Sequence, residues 1–299
     1  MTESNLQANG ISLHCDRFGT GAGETVLLIS GLGTQMIRWT VPFCEELASR
    51  GFQVIRFDNR DVGLSTHFAE SPAPDFGDLA RALAQGSRPT VPYTLHDMAA
   101  DAIGLLDALS IPRAHLVGRS MGGMIAQLMA SEFPQRVASL TSIMSSTGNP
   151  ALPPAAPEVL AMLTLPAPHP FEDEEGFLSH RVAFARRIAG PAHPFDEDAQ
   201  RSLSLQEARR AYDPAGFGRQ LAAMVATGDI RSQLAGITVP TLVIHGACDP
   251  LIPPAAGEDT ADSIPGAHLM IIEGMGHDLP PALYGRVVDA IAENARRAC

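Results

Sequence analysis

The segment Gly118-Arg119-Ser120-Met121-Gly122 sets a serine between two glycines. That arrangement puts a hydroxyl at the apex of a tight strand-to-helix turn, where the glycines let the backbone pass without Cβ clashes. Spacing alone is weak, since a chain of this glycine and serine content matches the pattern by chance roughly 0.15 times. The flanks supply the rest. His115-Leu116-Val117 reads as a strand entering the turn, and Met121 to Glu132 as an apolar-periodic helix leaving it, with Gly123 allowing close helix-sheet contact. The competing reading, a glycine turn with a capping serine, explains less of that context.

A serine hydroxyl is a poor nucleophile at neutral pH and needs a base in reach and an acid to orient that base. Around such a turn the acid and the histidine follow the serine in the chain, each just past a later strand. Thr241-Leu242-Val243-Ile244 leads to Asp249, and His268 to Ile272 leads through Gly274-Met275-Gly276 to His277. Ser120, Asp249 and His277 therefore fall at three predicted strand ends in the required order. His115 and His245 lie within strands, and His14, His169, His180 and His193 lie elsewhere, so these read as surface or satisfied core histidines. Asp278 adjoins His277 and is badly placed to orient it. The exit Ser145-Ser146-Thr147-Gly148-Asn149 offers no rival carboxylate.

Acyl transfer also needs backbone donors for a developing oxyanion. The Met121 amide, at a helix N-terminus beside the serine, is one. The loop Ser30-Gly31-Leu32-Gly33-Thr34-Gln35 exposes main-chain N–H groups after an apolar run, and Leu32 is the expected second donor.

The elements that must carry these residues follow from short continuous apolar runs. Val26 to Ile29, Gln53 to Phe57, His115 to Val117, Leu140 to Met144, Thr241 to Ile244 and His268 to Ile272 read as strands buried on both faces. Helical spacing lies between them, at Met98 to Leu109, Met121 to Glu132 and Leu283 to Arg297. Alternating strands and helices predict a parallel sheet covered on both faces. From Asn149 to about Arg231 no strand run appears, and the stretch opens with Pro150, Pro153, Pro154, Pro157, Pro166, Pro168 and Pro170. Helical patterns follow at Leu178 to Ile188 and Ala199 to Tyr212. This predicts a helical insertion over 149–231, with 1–148 and 232–299 forming the core.

Composition narrows the chemistry. The 299 residues are 45% hydrophobic and 18% charged, ample for a large core, and carry a net charge of −12. Every one of the 21 basic residues is arginine. The absence of lysine excludes a lysine Schiff base and a phosphate-loop lysine. An acidic chain with no basic run argues against nucleic acid as a partner. Cys15, Cys44, Cys248 and Cys299 have no metal or redox spacing and read as free thiols. No leader pattern opens the sequence and no 18-residue apolar stretch occurs, so no membrane association and a cytoplasmic location are expected. The acid clusters Glu172 to Glu175 and Asp196 to Asp198 lack cation-loop spacing and read as solvated helix starts. Gly19-Thr20-Gly21-Ala22-Gly23 precedes no helix and reads as a hairpin or connector rather than a dinucleotide loop. No cofactor or metal is expected.

At these residues the chain resembles the α/β-hydrolase superfamily, and within it the single-domain carboxylesterases, the cofactor-free perhydrolases and the aclacinomycin methylesterase group. The resemblance runs through the Ser30 to Gly33 loop, Asp58-Asn59-Arg60-Asp61-Val62-Gly63-Leu64-Ser65, the serine turn, the Asp249 loop and the Gly274 to His277 loop. It implies an α/β fold with an eight-stranded, mostly parallel sheet, a helical cap, a Ser-His-Asp triad, and Leu32 and Met121 as oxyanion donors. Many relatives begin the oxyanion loop with His-Gly, where this chain has Ser30-Gly31, which weakens transfer of substrate class. The Asp58 to Ser65 stretch is expected to brace the oxyanion turn rather than face substrate. Trp39 reads equally as pocket lining or core packing.

The expected activity is cleavage of a small-molecule carboxylic ester through an acyl-enzyme. Acyl transfer to peroxide, carbon-carbon bond hydrolysis and a triad-retaining ligand receptor are the alternatives, and assembly as a homo-oligomer is left open. An aspartate would stand at Ser120 in the epoxide-opening and halide-displacing relatives.

Overall fold

The predicted apolar runs become six adjacent strands of one eight-stranded sheet in the computed structural model, which describes residues 2–21, 23–72, 74–87 and 89–298; the last run, His268–Ile272, is an edge strand with His268 and Leu269 exposed rather than buried on both faces. Met1, Ala22 and Cys299 lie outside the described residues. The strands are β1 (Thr2–Ala8), β2 (Ile11–Phe18), β3 (Thr25–Ile29), β4 (Gln53–Phe57), β5 (Ala114–Arg119), β6 (Val137–Ile143), β7 (Thr241–Gly246) and β8 (His268–Ile272). Their order is β1-β2-β4-β3-β5-β6-β7-β8. From β4 to β8 every pairing is parallel, while β1 and β2 run antiparallel.

The helices are α1 (Val41–Ser49), α2 (Phe76–Ala84), α3 (Leu95–Ala108), α4 (Met121–Glu132), α5 (Pro157–Thr164), α6 (Glu174–Ile188), α7 (Glu197–Arg210), α8 (Pro214–Thr227), α9 (Arg231–Leu234), α10 (Ala255–Ser263) and α11 (Tyr284–Arg296). Strand periodicity explains why β3 is apolar throughout. Leu27 and Ile29 pack toward α3 and α4 with Met98, Leu105, Ile125 and Leu128. Val26 and Leu28 point the other way, toward Phe43 and Leu47 of α1 and Val287, Val288 and Ile291 of α11.

Two strands have no counterpart among the six apolar runs. β1 is Thr-Glu-Ser-Asn-Leu-Gln-Ala, an exposed edge strand whose polar residues leave no hydrophobic signal. The glycine stretch 19–23 connects β2 to β3 and is no hairpin, because β3 pairs with β4 and β5 instead.

Helices α5 to α8 are inserted between β6 and β7 and form the cap. The acid clusters start its helices: Asp173 accepts from the Gly176 amide and Asp196 from the Ala199 amide. The cap has a small apolar centre of its own around Phe177, Leu178 and Ala208. Its last part also joins the core, where Ala223 and Ile230 are buried with Ile125 and Leu128.

Candidate active site

β5, β6, β7 and β8 are parallel neighbours, so the loops after β5, β7 and β8 open on the same sheet edge. Ser120 follows β5 directly and caps α4 with φ +54° and ψ −128°. A non-glycine residue held there costs about 1–3 kcal/mol. Close packing enforces the conformation. A Cβ on Gly118 would lie 2.0 Å from the Gly122 carbonyl oxygen, and one on Gly122 would lie 2.2 Å from the Ile29 oxygen. Both glycines of the motif are thus required by contact. The Ser120 amide donates to Ile143 O at 2.9 Å, and Ser145 Oγ donates to Ser120 O at 2.7 Å.

Asp249 and His277 meet. Asp249 is buried, its Oδ1 accepts from the amides of Leu251 (2.9 Å) and Ile252 (2.8 Å), and its Oδ2 lies 2.7 Å from His277 Nδ1. A carboxylate can only accept, so Nδ1 carries the proton and the Nε2 lone pair of the neutral ring is left free. The cap holds the histidine loop from above: the His277 amide donates to Ile188 O at 2.8 Å, and the Gly190 amide to Asp278 Oδ1 at 3.1 Å. Asp278 also accepts from the Gly276 amide, and burial raises its pKa. It serves the loop rather than the imidazole. Among the described residues no hydrogen bond joins Ser120 Oγ to His277, a contact that commonly tightens only when substrate binds.

His245, read as a core histidine, sits closer to this centre than its strand position suggests. Its Nε2 is 2.8 Å from Ile252 O and 3.6 Å from Asp249 Oδ2, and burial lowers its pKa, which keeps it neutral. It is an uncharged prop for the Asp249 loop.

Leu32 and Met121 present amides that donate to no acceptor among the described residues, whereas the neighbouring Gly33 amide donates to Gln220 Oε1 at 2.8 Å. The Leu32 turn lies against the serine, since a Cβ on Gly31 would be 3.1 Å from Ser120 Cβ. Asn59 Nδ2 donates to Ser30 O at 3.0 Å, and Asp58 Oδ1 accepts from the Met36 amide at 2.8 Å. The Asp58 to Ser65 loop therefore braces this turn. Arg60 is tied to Asp101 (2.6 Å), and Asp61 to Arg219 (2.8 Å), all four buried. Trp39 is buried against Phe43, their ring centroids 5.2 Å apart, and packs in the core rather than lining a pocket.

A cavity of about 460 Å³ lies between the cap and the 58–67 loop, lined by Gly33, Gln35, His67, Phe177, Arg181, Glu207, Tyr212 and Phe217 among others. Neither Ser120 nor His277 lines it. Gly33, next to Leu32, connects the two regions, and the Phe217 ring lies directly over it. The strand-end groups and the cavity are neighbouring but separate regions of the structure.

One cluster in this region has metal-ligand chemistry: oxygen and nitrogen atoms of Asp61, His67 and Asp213 lie within 4.8 Å of one another. Arg219 Nη2 already donates to both carboxylates, at 2.8 Å each, and Tyr93 Oη donates to Asp61. The guanidinium already supplies a positive partner to both carboxylates. Sequence reasoning gave no sign of this network, whose members are scattered from position 61 to 219.

The fold and the strand-end residues together define a hydrolase of the α/β class. A family profile described as alpha/beta hydrolase fold matches residues 24–280, and the chain belongs to that family. Rhodomycin D methylesterases of Streptomyces sp. (strain C5) and Streptomyces peucetius are each 32% identical to it over 308 residues, spanning 96% of this chain and of theirs. The crystal structure of a hydrolase from Pseudomonas aeruginosa PA01 is 30% identical, with a TM-score of 0.66 over 96% of this chain and 97% of that one. Among the described residues no helix is long and apolar enough to cross a membrane.

Proposed function

We propose that the protein hydrolyses carboxylic esters through Ser120, His277 and Asp249, with residues 149–231 acting as the lid over a small-molecule substrate. The observation that carries this reading is the 2.7 Å contact between His277 Nδ1 and buried Asp249, which frees Nε2 to act as a base. Similarity to methylesterases supports an ester as the bond cleaved.

In the proposed reaction Nε2 takes the Ser120 proton as Oγ attacks the ester carbonyl carbon. The negative charge that develops on the carbonyl oxygen is met by the Leu32 and Met121 amides, the latter at the positive end of α4. Collapse of the tetrahedral intermediate breaks the bond to the alcohol oxygen, which leaves with the proton held by His277. A water molecule, deprotonated by the same imidazole, then attacks the acyl-enzyme and releases the acid.

A series of p-nitrophenyl esters of increasing acyl length tests this with native protein and Ser120→Ala. Turnover is expected to fall at least about 10⁴-fold in the variant on every ester. Equal rates for the two proteins would remove Ser120 from the chemistry.

A further inference from the structure

A cation without a partner stands beside the proposed nucleophile. Arg119 ends β5 and immediately precedes Ser120, and its guanidinium lies over the Trp39 ring, 5.1 Å from the centroid. Among the described residues it makes no hydrogen bond and no ion pair. Burial, and after it the like charge of Arg38, bring its pKa down to about 10, so the group remains protonated at neutral pH. Yet the residue is only part-buried. The guanidinium is thus poorly hydrated yet not sealed off, and it stands next to Ser120 in the chain.

The charges around it do not cancel. Glu207 of α7 is held by Arg38 through two bonds, 2.9 and 2.6 Å, and is touched by Arg181 of α6 at 3.3 Å. Arg38 and Arg181 thus share one carboxylate, and Arg119, among the described residues, contacts none. Burial also lowers the pKa of Arg181, as expected for a cation short of compensation. Tyr284, the remaining titratable group acting on Arg119, has its pKa raised by burial and stays neutral. In a chain of net charge −12 this local excess is not a general property of the surface. Arg181 and Glu207 line the cap cavity although Arg119 does not, so the excess runs from the serine turn to the edge of that cavity.

Resting on the ester-hydrolase reading, we infer that the substrate is an ester carrying a second, free carboxylate, which the Arg119 guanidinium binds as a specificity-determining group. Set over Trp39 and bonded to no other described group, the guanidinium keeps its N–H donors for a two-bonded carboxylate contact. Arg181 adds positive charge on the cavity side. Neutral esters would leave the Arg119 charge unmatched, which sets the preference.

The test compares monomethyl glutarate with methyl pentanoate, which puts a methyl group where the first has its free carboxylate. Native protein is expected to favour the anionic ester in kcat/KM by about 10- to 100-fold, the range of a charge-assisted hydrogen bond. Arg119→Gln should bring that ratio near one, chiefly through KM of the anionic ester, and Arg119→Lys should restore part of it. Calorimetry with glutarate, expected to bind native protein and to bind Arg119→Gln at least about tenfold more weakly, reads the anion site without turnover. A native ratio at or below one, or a ratio unchanged in Arg119→Gln, overturns the inference and leaves the hydrolase reading standing. Failure of native protein to cleave either ester, or any p-nitrophenyl ester, counts against the hydrolase reading, and glutarate binding then decides the anion site alone. If Arg119→Gln does not fold, the native ratio and the lysine variant still decide.

Discussion

Where α1 and α11 meet the sheet, Phe43, Leu47, Val287 and Ile291 close on Leu28 and Val54 as buried apolar surface. The cap meets the same core very differently. Arg219 of α8 reaches buried Asp61, Arg210 of α7 reaches buried Asp58, and Arg38 of the core reaches Glu207 of α7. Gln220 donates to Arg60 O and accepts from the Gly33 amide, and Gln35 donates to Glu207 O and Ala211 O. Apolar packing is non-directional and nearly indifferent to pH and salt, whereas a seam of ion pairs and amides is directional and fails when one member is lost. The proposed reacting groups stand on the apolar frame, and the cap cavity is held by the polar seam.

That contrast can be attacked at three points. The largest effect is expected from the frame. Asp249→Asn removes the acceptor that fixes the His277 tautomer, and kcat should fall by about 10³–10⁴-fold on every ester alike. A loss confined to some esters would place the Asp249 loop with the selecting region instead. Asp278→Asn on the same loop, measured alongside, should cost far less, because among the described residues only backbone amides donate to its carboxylate.

The seam comes next. Arg219→Met strands the buried carboxylate of Asp61, and urea unfolding should show a loss of about 3–5 kcal/mol. Near-neutral stability would mean that apolar contacts such as Ala223 with the core hold the cap by themselves.

The smallest effect concerns pH. His67 Nδ1 lies 2.9 Å from Asp213 Oδ2 and Nε2 2.9 Å from Gly63 O, so both ring nitrogens face acceptors. Both bonds are donated only by the imidazolium. Burial opposes the charge, but the bonds to Gly63 and Asp213 outweigh it and raise the pKa above the ordinary 6.5. With a raised folded-state pKa, this contribution is complete below about pH 6.5 and is lost as pH climbs through the folded value. Hydrogen exchange at the start of α8 should therefore quicken modestly from pH 6 to pH 9, after correction for the intrinsic rate. The trend should vanish in His67→Leu, and its persistence there would assign it to another group.

Much of the frame was legible in the amino-acid order because its signals are local. A strand buried on both faces must be apolar at successive positions, so β3 and β5 to β7 announce themselves, whereas β1, polar and at the edge, does not. Gly118 and Gly122 mark the serine turn because any Cβ there would collide with backbone. The acids at 173–175 and 196–198 read as helix starts for a reason confined to one turn of chain.

The seam was not legible, because its pairs join residues up to 187 positions apart that have no motif in common. Arg119 shows the division most clearly. From sequence it is merely the variable residue of the serine turn, and only the folded chain sets it on Trp39, near Arg38 and Glu207, with no carboxylate of its own. The sequence by itself determined most of the sheet, the serine turn, and the Asp249 and His277 loops, since apolar periodicity and backbone sterics act over a few residues. Tertiary structure decided which charges are matched and which are left for a ligand, because Coulomb interactions and desolvation depend on distances that exist only after folding.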